Sequence, residues 1–164
     1  MKFFSLFAFS AFLLCGCGGS GRPSLVVVTG KVTLDGKPLE GASIAMKFVS
    51  DDPDNKYGRP SRAVSDSSGQ FKPAAYGDAE GIPTGKYKVA IYKQEIPEGY
   101  NAEDPAANPV NIKWITPRYY SDIDTSGIEI EVTSDGITPE TIALQSNGSV
   151  EVQNTGQTVD PNAP

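Results

Sequence analysis

The stretch Lys86-Tyr87-Lys88-Val89-Ala90-Ile91-Tyr92-Lys93 alternates between apolar and charged side chains over most of its length. Successive side chains of a β-strand point to opposite faces, so Tyr87, Val89 and Ile91 would share one face. The lysines at 86, 88 and 93 would lie on the other side. One apolar face and one wet face are typical of a strand in an antiparallel sheet. The stretch therefore predicts a β protein whose sheet is covered on one side.

Six further stretches carry short apolar or β-branched runs that end in turn residues. They are Leu25–Leu34, Ala42–Val49, Ser61–Ser65, Gln70–Pro73, Gly127–Val132 and Thr141–Leu144. After residue 24 the sequence has no convincing 3.6-residue apolar period, so it predicts no amphipathic helix there. Seven short strands, each with one apolar face, predict an all-β fold, a single seven-stranded antiparallel β-sandwich.

The composition of the 164 residues favours one domain and excludes several kinds of chemistry. The 17 glycines and 13 prolines favour turns over long helices. The absence of histidine excludes His-based catalytic triads and His metal ligands. A formal net charge of −6 disfavours binding to nucleic acid, because phosphates repel an acidic surface. The sequence indicates no cofactor.

The first 16 residues have the organisation of a secretory signal peptide. Lys2 supplies a positive charge, and Phe3–Leu14 is an apolar stretch shorter than the about 20 residues that a membrane-spanning helix needs. The stretch ends in Leu14-Cys15-Gly16-Cys17, which resembles the lipobox of bacterial lipoproteins. The alternative is an ordinary cleaved signal peptide that happens to contain two cysteines.

The lipobox resemblance implies that Cys17 is lipidated and becomes the N-terminus of the mature protein. Cys15 fits the motif poorly, because bulky Leu14 precedes it. A protein processed in this way is held on a membrane by its lipid, in the cell envelope, and faces the periplasm or the exterior. Each acyl methylene contributes about 0.8 kcal/mol to membrane binding, so two or more chains hold a protein stably.

Four segments follow from these features. Residues 1–16 are the signal peptide, 17–24 a Gly- and Ser-rich flexible tether, 25–145 the β domain and 146–164 a polar C-terminal tail. The long connection Gln94–Tyr120 contains four prolines and a short edge strand at Val110–Ile115. In the tail, Asn147-Gly148 could turn a hairpin with Val150 and Val152 on the return strand, and a solvated tail is the alternative.

Several motifs occur in the order found in carboxypeptidase-regulatory-like, transthyretin-like domains. Val28–Ala42 resembles their opening hairpin, and Asp66-Ser67-Ser68-Gly69-Gln70-Phe71 resembles their D-x-x-G-x-F turn. Pro83–Val89 is similar to their P-x-G-x-Y-x-V strand, and Tyr119–Val132 resembles the ending of small lipoproteins that carry this domain alone. The resemblance covers residues 25–145 and implies a prealbumin-like sandwich.

The same resemblance implies a protein that is not an enzyme. Catalysis in multidomain relatives belongs to a separate zinc-peptidase domain, and the transthyretin-like enzymes of ureide metabolism rely on histidines that this chain lacks. Glu129 and Glu131 share one face of a predicted strand, whereas a glycosidase needs two acids across a cleft. We therefore expect a non-catalytic structural or protein-interaction module.

One segment has the spacing of a calcium loop. Asp122, Asp124 and Ser126 stand at alternate positions before Gly127, as oxygen ligands do in D-x-D-x-S-G loops. Position twelve is Thr133 instead of a bidentate glutamate, and the sequence predicts no flanking helices. The alternative is a polar turn that leads into a strand.

Three aromatic residues near the long connection are candidates for ligand binding. Trp114, Tyr119 and Tyr120 could stack on a sugar ring or anchor a protein partner, and packing of the connection against the sandwich is the alternative. The expected partners are a membrane, through the lipid on Cys17, and an envelope protein or a glycan. The alternative function is therefore a carbohydrate- or calcium-dependent ligand-binding module.

Overall fold

The computed structural model describes residues 22–50, 59–148 and 150–156. These residues form twelve strands and one 3-10 helix, Arg118–Ser121, which confirms the all-β prediction. The strands are β1 Gly30–Leu34, β2 Lys37–Pro38, β3 Ser43–Phe48, β4 Ser61–Val64, β5 Gln70–Phe71, β6 Gly85–Tyr92, β7 Gln94–Glu95, β8 Asn111–Trp114, β9 Ile128–Thr133, β10 Gly136–Thr138, β11 Thr141–Leu144 and β12 Glu151–Asn154. The signal peptide and Cys17 lie outside the described residues.

The largest sheet has five antiparallel strands in the order β10-β9-β6-β3-β4. Its centre is β6, whose alternating sequence places Tyr87, Val89 and Ile91 in the interior with no exposed surface. On its other face, Lys88 lies opposite Glu129 and Lys86 opposite Glu131. Opposite charges on facing strands stabilise the pairing modestly. The period-two reading of this stretch is therefore confirmed.

A second sheet of four strands is built around β1. Strand β1 pairs with β2 and β5 in the antiparallel sense, and with β11 in the parallel sense, with Val32 opposite Ile142. The parallel pair departs from the antiparallel arrangement that the sequence predicts. Between β1 and β11 the chain forms the five-stranded sheet, and β11 then lies beside β1 and runs in the same direction. Two parallel strands need such a long connection, because a tight turn would reverse the direction of the chain.

The core lies where these two sheets contribute side chains to one buried cluster. The four-stranded sheet supplies Val32, Phe71, Ile142 and Leu144, and the five-stranded sheet supplies Ile44, Met46, Tyr87, Val89, Ile91, Ile130 and Val132. Burial of each large apolar side chain contributes about 1.5–3 kcal/mol, which opposes the chain entropy lost on folding. Aliphatic and aromatic packing thus supports the domain.

All seven predicted stretches contain a strand, but the first strand is shorter than predicted. It begins at Gly30 instead of Leu25, because the segment before it leaves the sheet and makes a two-bond bridge to another loop. In that bridge Val26 N–H donates to the Ile82 carbonyl at 2.9 Å, and Ile82 N–H donates to the Val26 carbonyl at 3.0 Å. The apolar run alone does not distinguish a sheet strand from an isolated bridge.

A third sheet, in the order β12-β8-β7, joins the long connection to the C-terminal part of the chain. Strand β8 confirms a strand within Val110–Ile115, but the prediction that it is an edge strand is wrong, because β8 pairs with β12 on one side and with β7 on the other. Strand β12 contains Val152, but it pairs with β8 and not with the strand that precedes Asn147-Gly148, so the hairpin alternative is wrong. Gln153 and Asn154 lie in this strand, and residues 157–164 of the tail lie outside the described residues.

Candidate functional site

Trp114, the first aromatic candidate, lies on the covered face of β8 and is 9% exposed. Its indole Nε1–H donates a 3.2 Å hydrogen bond to Oε1 of Gln153 on β12. The guanidinium of Arg118 lies 5.2 Å from the ring centroid, and the ring of Tyr92 lies 6.3 Å away. With these neighbours, Trp114 joins the third sheet to the 3-10 helix. Its placement fits the packing alternative better than sugar stacking.

Tyr119 and Tyr120 lie side by side in the 3-10 helix, with ring centroids 4.1 Å apart. Tyr120 packs against the core, and its hydroxyl accepts a 3.3 Å hydrogen bond from the Gln145 N–H. Tyr119 is 42% exposed, and hydrogen bonding with Tyr120 raises the pKa of its hydroxyl. Of the three aromatic candidates, Tyr119 offers the most ring surface to a ligand.

The segment with calcium-loop spacing folds as a hydrogen-bonded turn. Oδ1 of Asp122 accepts the N–H of Asp124 at 2.7 Å, and the Asp122 carbonyl accepts the N–H of Ser126 at 2.9 Å. The hydroxyl of Ser126 is buried and donates to the carbonyl of Val89 on β6 at 2.6 Å. Asp122 and Ser126 thus use their oxygens within the protein, as expected for the polar-turn alternative.

The described residues contain no group of three or more acidic, cysteine or histidine side chains placed to hold a metal ion. The Ser126 oxygen points to β6, and a calcium loop would need it to turn toward the two carboxylates. The pairing of β9 with β6 ends at Ile128 and Val89, and the Ser126 hydroxyl bonds to the Val89 carbonyl at that point. Beyond the end of β6, another side-chain oxygen bonds to the backbone, where the Lys93 N–H donates to Oγ1 of Thr116 at 3.0 Å.

Sequence reasoning missed a charged cluster at the start of the described chain. The Arg22 guanidinium donates two hydrogen bonds, of 2.8 and 3.0 Å, to the carboxylate of Asp78. Arg22 and Arg59 both lie against the ring of Tyr76, with centroid distances of 4.8 and 5.3 Å. The bond from Arg22 lowers the pKa of Asp78. No spacing signal could have found this contact, because 56 residues separate the two partners.

Arg22 of this cluster is close in sequence to Cys17, the predicted lipid attachment site. Arg22 lies five residues after Cys17, and a fully extended chain spans at most about 3.6 Å per residue, or about 18 Å here. The predicted tether of residues 17–24 would be longer if Arg22 did not bind Asp78. The Arg22–Asp78 ion pair is exposed to solvent, which screens it, so it contributes little to stability.

Sequence reasoning suggested a strand at Val150 and Val152 but did not predict that these side chains form an exposed apolar edge. Val150 and Val152 are 54% and 63% exposed, beside and within the last strand of the third sheet. The two valines alternate with polar residues, which was the signal that suggested a strand. Their pairing partner was not readable, because any sheet edge can accept such a strand.

The chain matches no protein-family model, no curated protein and no solved structure. No helix in residues 22–50, 59–148 or 150–156 is long and apolar enough to cross a membrane.

Proposed function

We propose that this chain is a lipid-anchored protein of the cell envelope whose β domain is a non-catalytic structural or protein-interaction module. In this proposal residues 1–16 are removed, Cys17 carries the lipid, and the domain is a prealbumin-like β-sandwich of the carboxypeptidase-regulatory-like type. The anchored domain meets its partners by surface contact.

The observation that carries the proposal is the motif Leu14-Cys15-Gly16-Cys17 at the end of an apolar stretch. Its leucine, its small residue before the second cysteine and its position fit a lipidation signal. Arg22 supports the proposal, because it bonds to Asp78 of the domain and lies only five residues after Cys17. A lipid on Cys17 would therefore hold the domain near the membrane surface.

The sandwich architecture is supported by the core. Two sheets contribute to one buried cluster, and Tyr87, from the P-x-G-x-Y-x-V motif, is among its fully buried side chains. Phe71, from the D-x-x-G-x-F motif, lies on the facing sheet and is 2% exposed. Both motif aromatics thus fill the interior, which is the role that the family resemblance gives them.

Expression of the full chain in a bacterial host, with Cys17→Ser and Cys15→Ser variants, tests the anchor. We expect mass spectrometry to find a lipid-modified Cys17 at the mature N-terminus, and fractionation to place the protein with membranes. Cys17→Ser should move it to the soluble fraction or leave the signal peptide uncleaved. Cys15→Ser is the matched control and should behave as wild type. A mature chain without Cys17, or with an unmodified one, would refute the anchor.

A second candidate function, carbohydrate binding, has one observation in its favour. Tyr119 is 42% exposed, its ring contacts that of Tyr120 at a tilt of 41°, and exposed aromatic rings can stack on sugars. Calorimetric titration with a glycan panel tests it, with Tyr119→Ala as the site variant and Tyr92→Ala as a control of similar exposure. Binding that Tyr119→Ala abolishes and Tyr92→Ala retains would favour this function over the first.

A further inference from the structure

Strand β12 is the outer strand of the third sheet, with β8 on one side. Among the described residues no strand pairs with its other side. An unpaired strand edge presents a row of N–H and C=O groups that another strand can bind. In β12, every second residue directs its backbone N–H and C=O groups to this free edge.

The hydrogen bonds between β12 and β8 identify the residues that face the free edge. Thr155 N–H donates to the Val110 carbonyl at 3.0 Å, so Thr155 directs its N–H toward the β8 side. In an antiparallel pair this direction alternates from residue to residue, so Gln153 and Glu151 also face β8. Val150, Val152 and Asn154 therefore direct their backbone N–H and C=O groups away from β8, to the free edge.

The side chains at the same positions are apolar and exposed. Val152 lies opposite Lys113 on the outer face of the sheet, and it is 63% exposed. Val150 precedes it on the same face and is 54% exposed. Two β-branched side chains beside outward backbone groups make a short surface with high preference for another β-strand.

The sequence of β12 matches a second copy of itself in one register. Because both strands must use their outward groups, Val152 can lie opposite Val150, Val152 or Asn154 of the second copy. The first register puts Glu151 opposite Glu151 and is opposed by charge repulsion. The third puts Val152 opposite the polar Asn154 and leaves no valine opposite a valine. The middle register places Val152 against Val152, Val150 against Asn154, and Glu151 against Gln153, whose side chains can form a hydrogen bond and carry no like charges.

We propose that β12 pairs antiparallel with β12 of a second copy of this chain, with Val152 opposite Val152. The two-fold axis passes between these residues, so the pairing is closed and stops at a dimer. The dimer joins the two third sheets into one six-stranded sheet. This inference goes beyond the proposed function and does not depend on the lipid on Cys17.

Cysteine cross-linking in the full chain tests the register. Facing residues of a hydrogen-bonded pair have Cα atoms about 5.5 Å apart, within the range of a disulfide. Val152→Cys should therefore form a disulfide-linked dimer on mild oxidation, in whichever cell fraction carries the protein. Val150→Cys is the matched control on the same face, because the two copies of residue 150 would be offset by four residues, about 13 Å. It should give several-fold less dimer.

Val64→Cys controls for exposure alone. Val64 is 65% exposed on β4, another sheet edge, but Arg62 of β4 already pairs with Ala74 on its outer side. The wild-type chain controls for Cys15 and Cys17. Equal dimer yields from all three variants, or none from Val152→Cys, would overturn the proposal.

Sedimentation of the purified full chain gives an independent test. Val152→Pro removes the outward N–H and leaves the bonds to β8 intact, and edge strands tolerate proline at such positions. We expect association at least tenfold weaker for Val152→Pro and Val152→Lys, and unchanged for Val64→Lys. Emission of Trp114 reports whether the third sheet stays folded. A wild-type chain that is monomeric, or whose β12 edge binds residues 157–164 or another protein instead, would also overturn the proposal.

Discussion

The hydroxyl of Tyr87 donates a 2.7 Å hydrogen bond to the carbonyl oxygen of Pro83, at the turn that leads into β6. The Tyr87 ring is fully buried and lies edge-on to Phe48, with centroids 5.2 Å apart. Burial raises the pKa of the hydroxyl, which therefore stays protonated and able to donate. One residue thus fills the core and closes the loop before it.

Tyr87→Phe tests this double role. The variant keeps the ring and loses the bond to Pro83, so we expect the free energy of unfolding to fall by about 1–2 kcal/mol. Urea denaturation followed by circular dichroism measures it. The control is Tyr92→Phe, whose side chain is 37% exposed and should give a change within about 0.5 kcal/mol. An equal loss in both variants would contradict the role assigned to the Pro83 bond.

Removal of the Ser61 hydroxyl should stabilise the protein. The hydroxyl is fully buried, and within the described part of the chain it has no hydrogen-bond partner. An unsatisfied buried polar group costs about 1–3 kcal/mol, so Ser61→Ala should raise the free energy of unfolding by about 1 kcal/mol. Ser65→Ala should do the opposite, because Ser65 donates to the Leu39 carbonyl and accepts the Ala42 N–H. Thermal unfolding of both variants checks the difference in sign.

Gly30→Ala should destabilise the domain by steric conflict. A methyl group on Gly30 would lie 2.5 Å from the ring of Phe71, which is buried and cannot move aside freely. Overpacking of this kind typically costs about 1–3 kcal/mol. Gly77→Ala is the control, because an added methyl there meets no described atom within 4 Å. Equal urea midpoints for the two variants would contradict the close approach of β1 and β5.

Stability should fall in acid partly through Asp66. Oδ1 of Asp66 accepts hydrogen bonds from the Ser68 hydroxyl and from the N–H groups of Ser68 and Gln70, and these bonds lower the pKa of the carboxyl from its ordinary value of 3.8. A lowered pKa means that the folded state favours the ionised form. Its contribution is therefore present above about pH 4 and is lost as the pH falls through the folded-state pKa.

Asp66→Asn is expected to be less stable than wild type at pH 6 and to lose less stability between pH 6 and pH 2.5. Urea midpoints at several pH values in this range measure the difference. Glu98→Gln, which removes an exposed carboxylate in the loop after β7, is the control variant. Parallel acid curves for wild type and Asp66→Asn would show that the turn does not contribute to it.

Trp114, the only tryptophan, should report the attachment of β12. A chain that ends at residue 148 loses Gln153, which accepts the indole hydrogen bond. We expect the emission of Trp114 to shift to longer wavelength as the ring becomes hydrated. A chain that ends at residue 156 keeps β12 and should emit as wild type. Identical spectra for the two truncated chains would contradict the pairing of β12 with β8.

Short-range patterns determined much of what the sequence could reveal. The alternation around Tyr87 predicted the position and buried face of β6, because side chains of a strand alternate whatever its neighbours are. The turn at Asp66–Gly69 was readable for the same reason, since its hydrogen bonds join residues two to four positions apart. The motif that ends at Cys17 is also local, and it remains a prediction.

Only the tertiary structure decided which strands pair and which polar side chains are already engaged. The sequence allows an edge strand to join any free edge, so it did not show that β12 joins β8 or that β1 runs parallel to β11. The spacing of Asp122, Asp124 and Ser126 likewise gave no sign that Ser126 turns toward Val89. Local spacing fixes conformation along a few residues, whereas contacts such as Arg22 with Asp78 depend on how the whole chain closes.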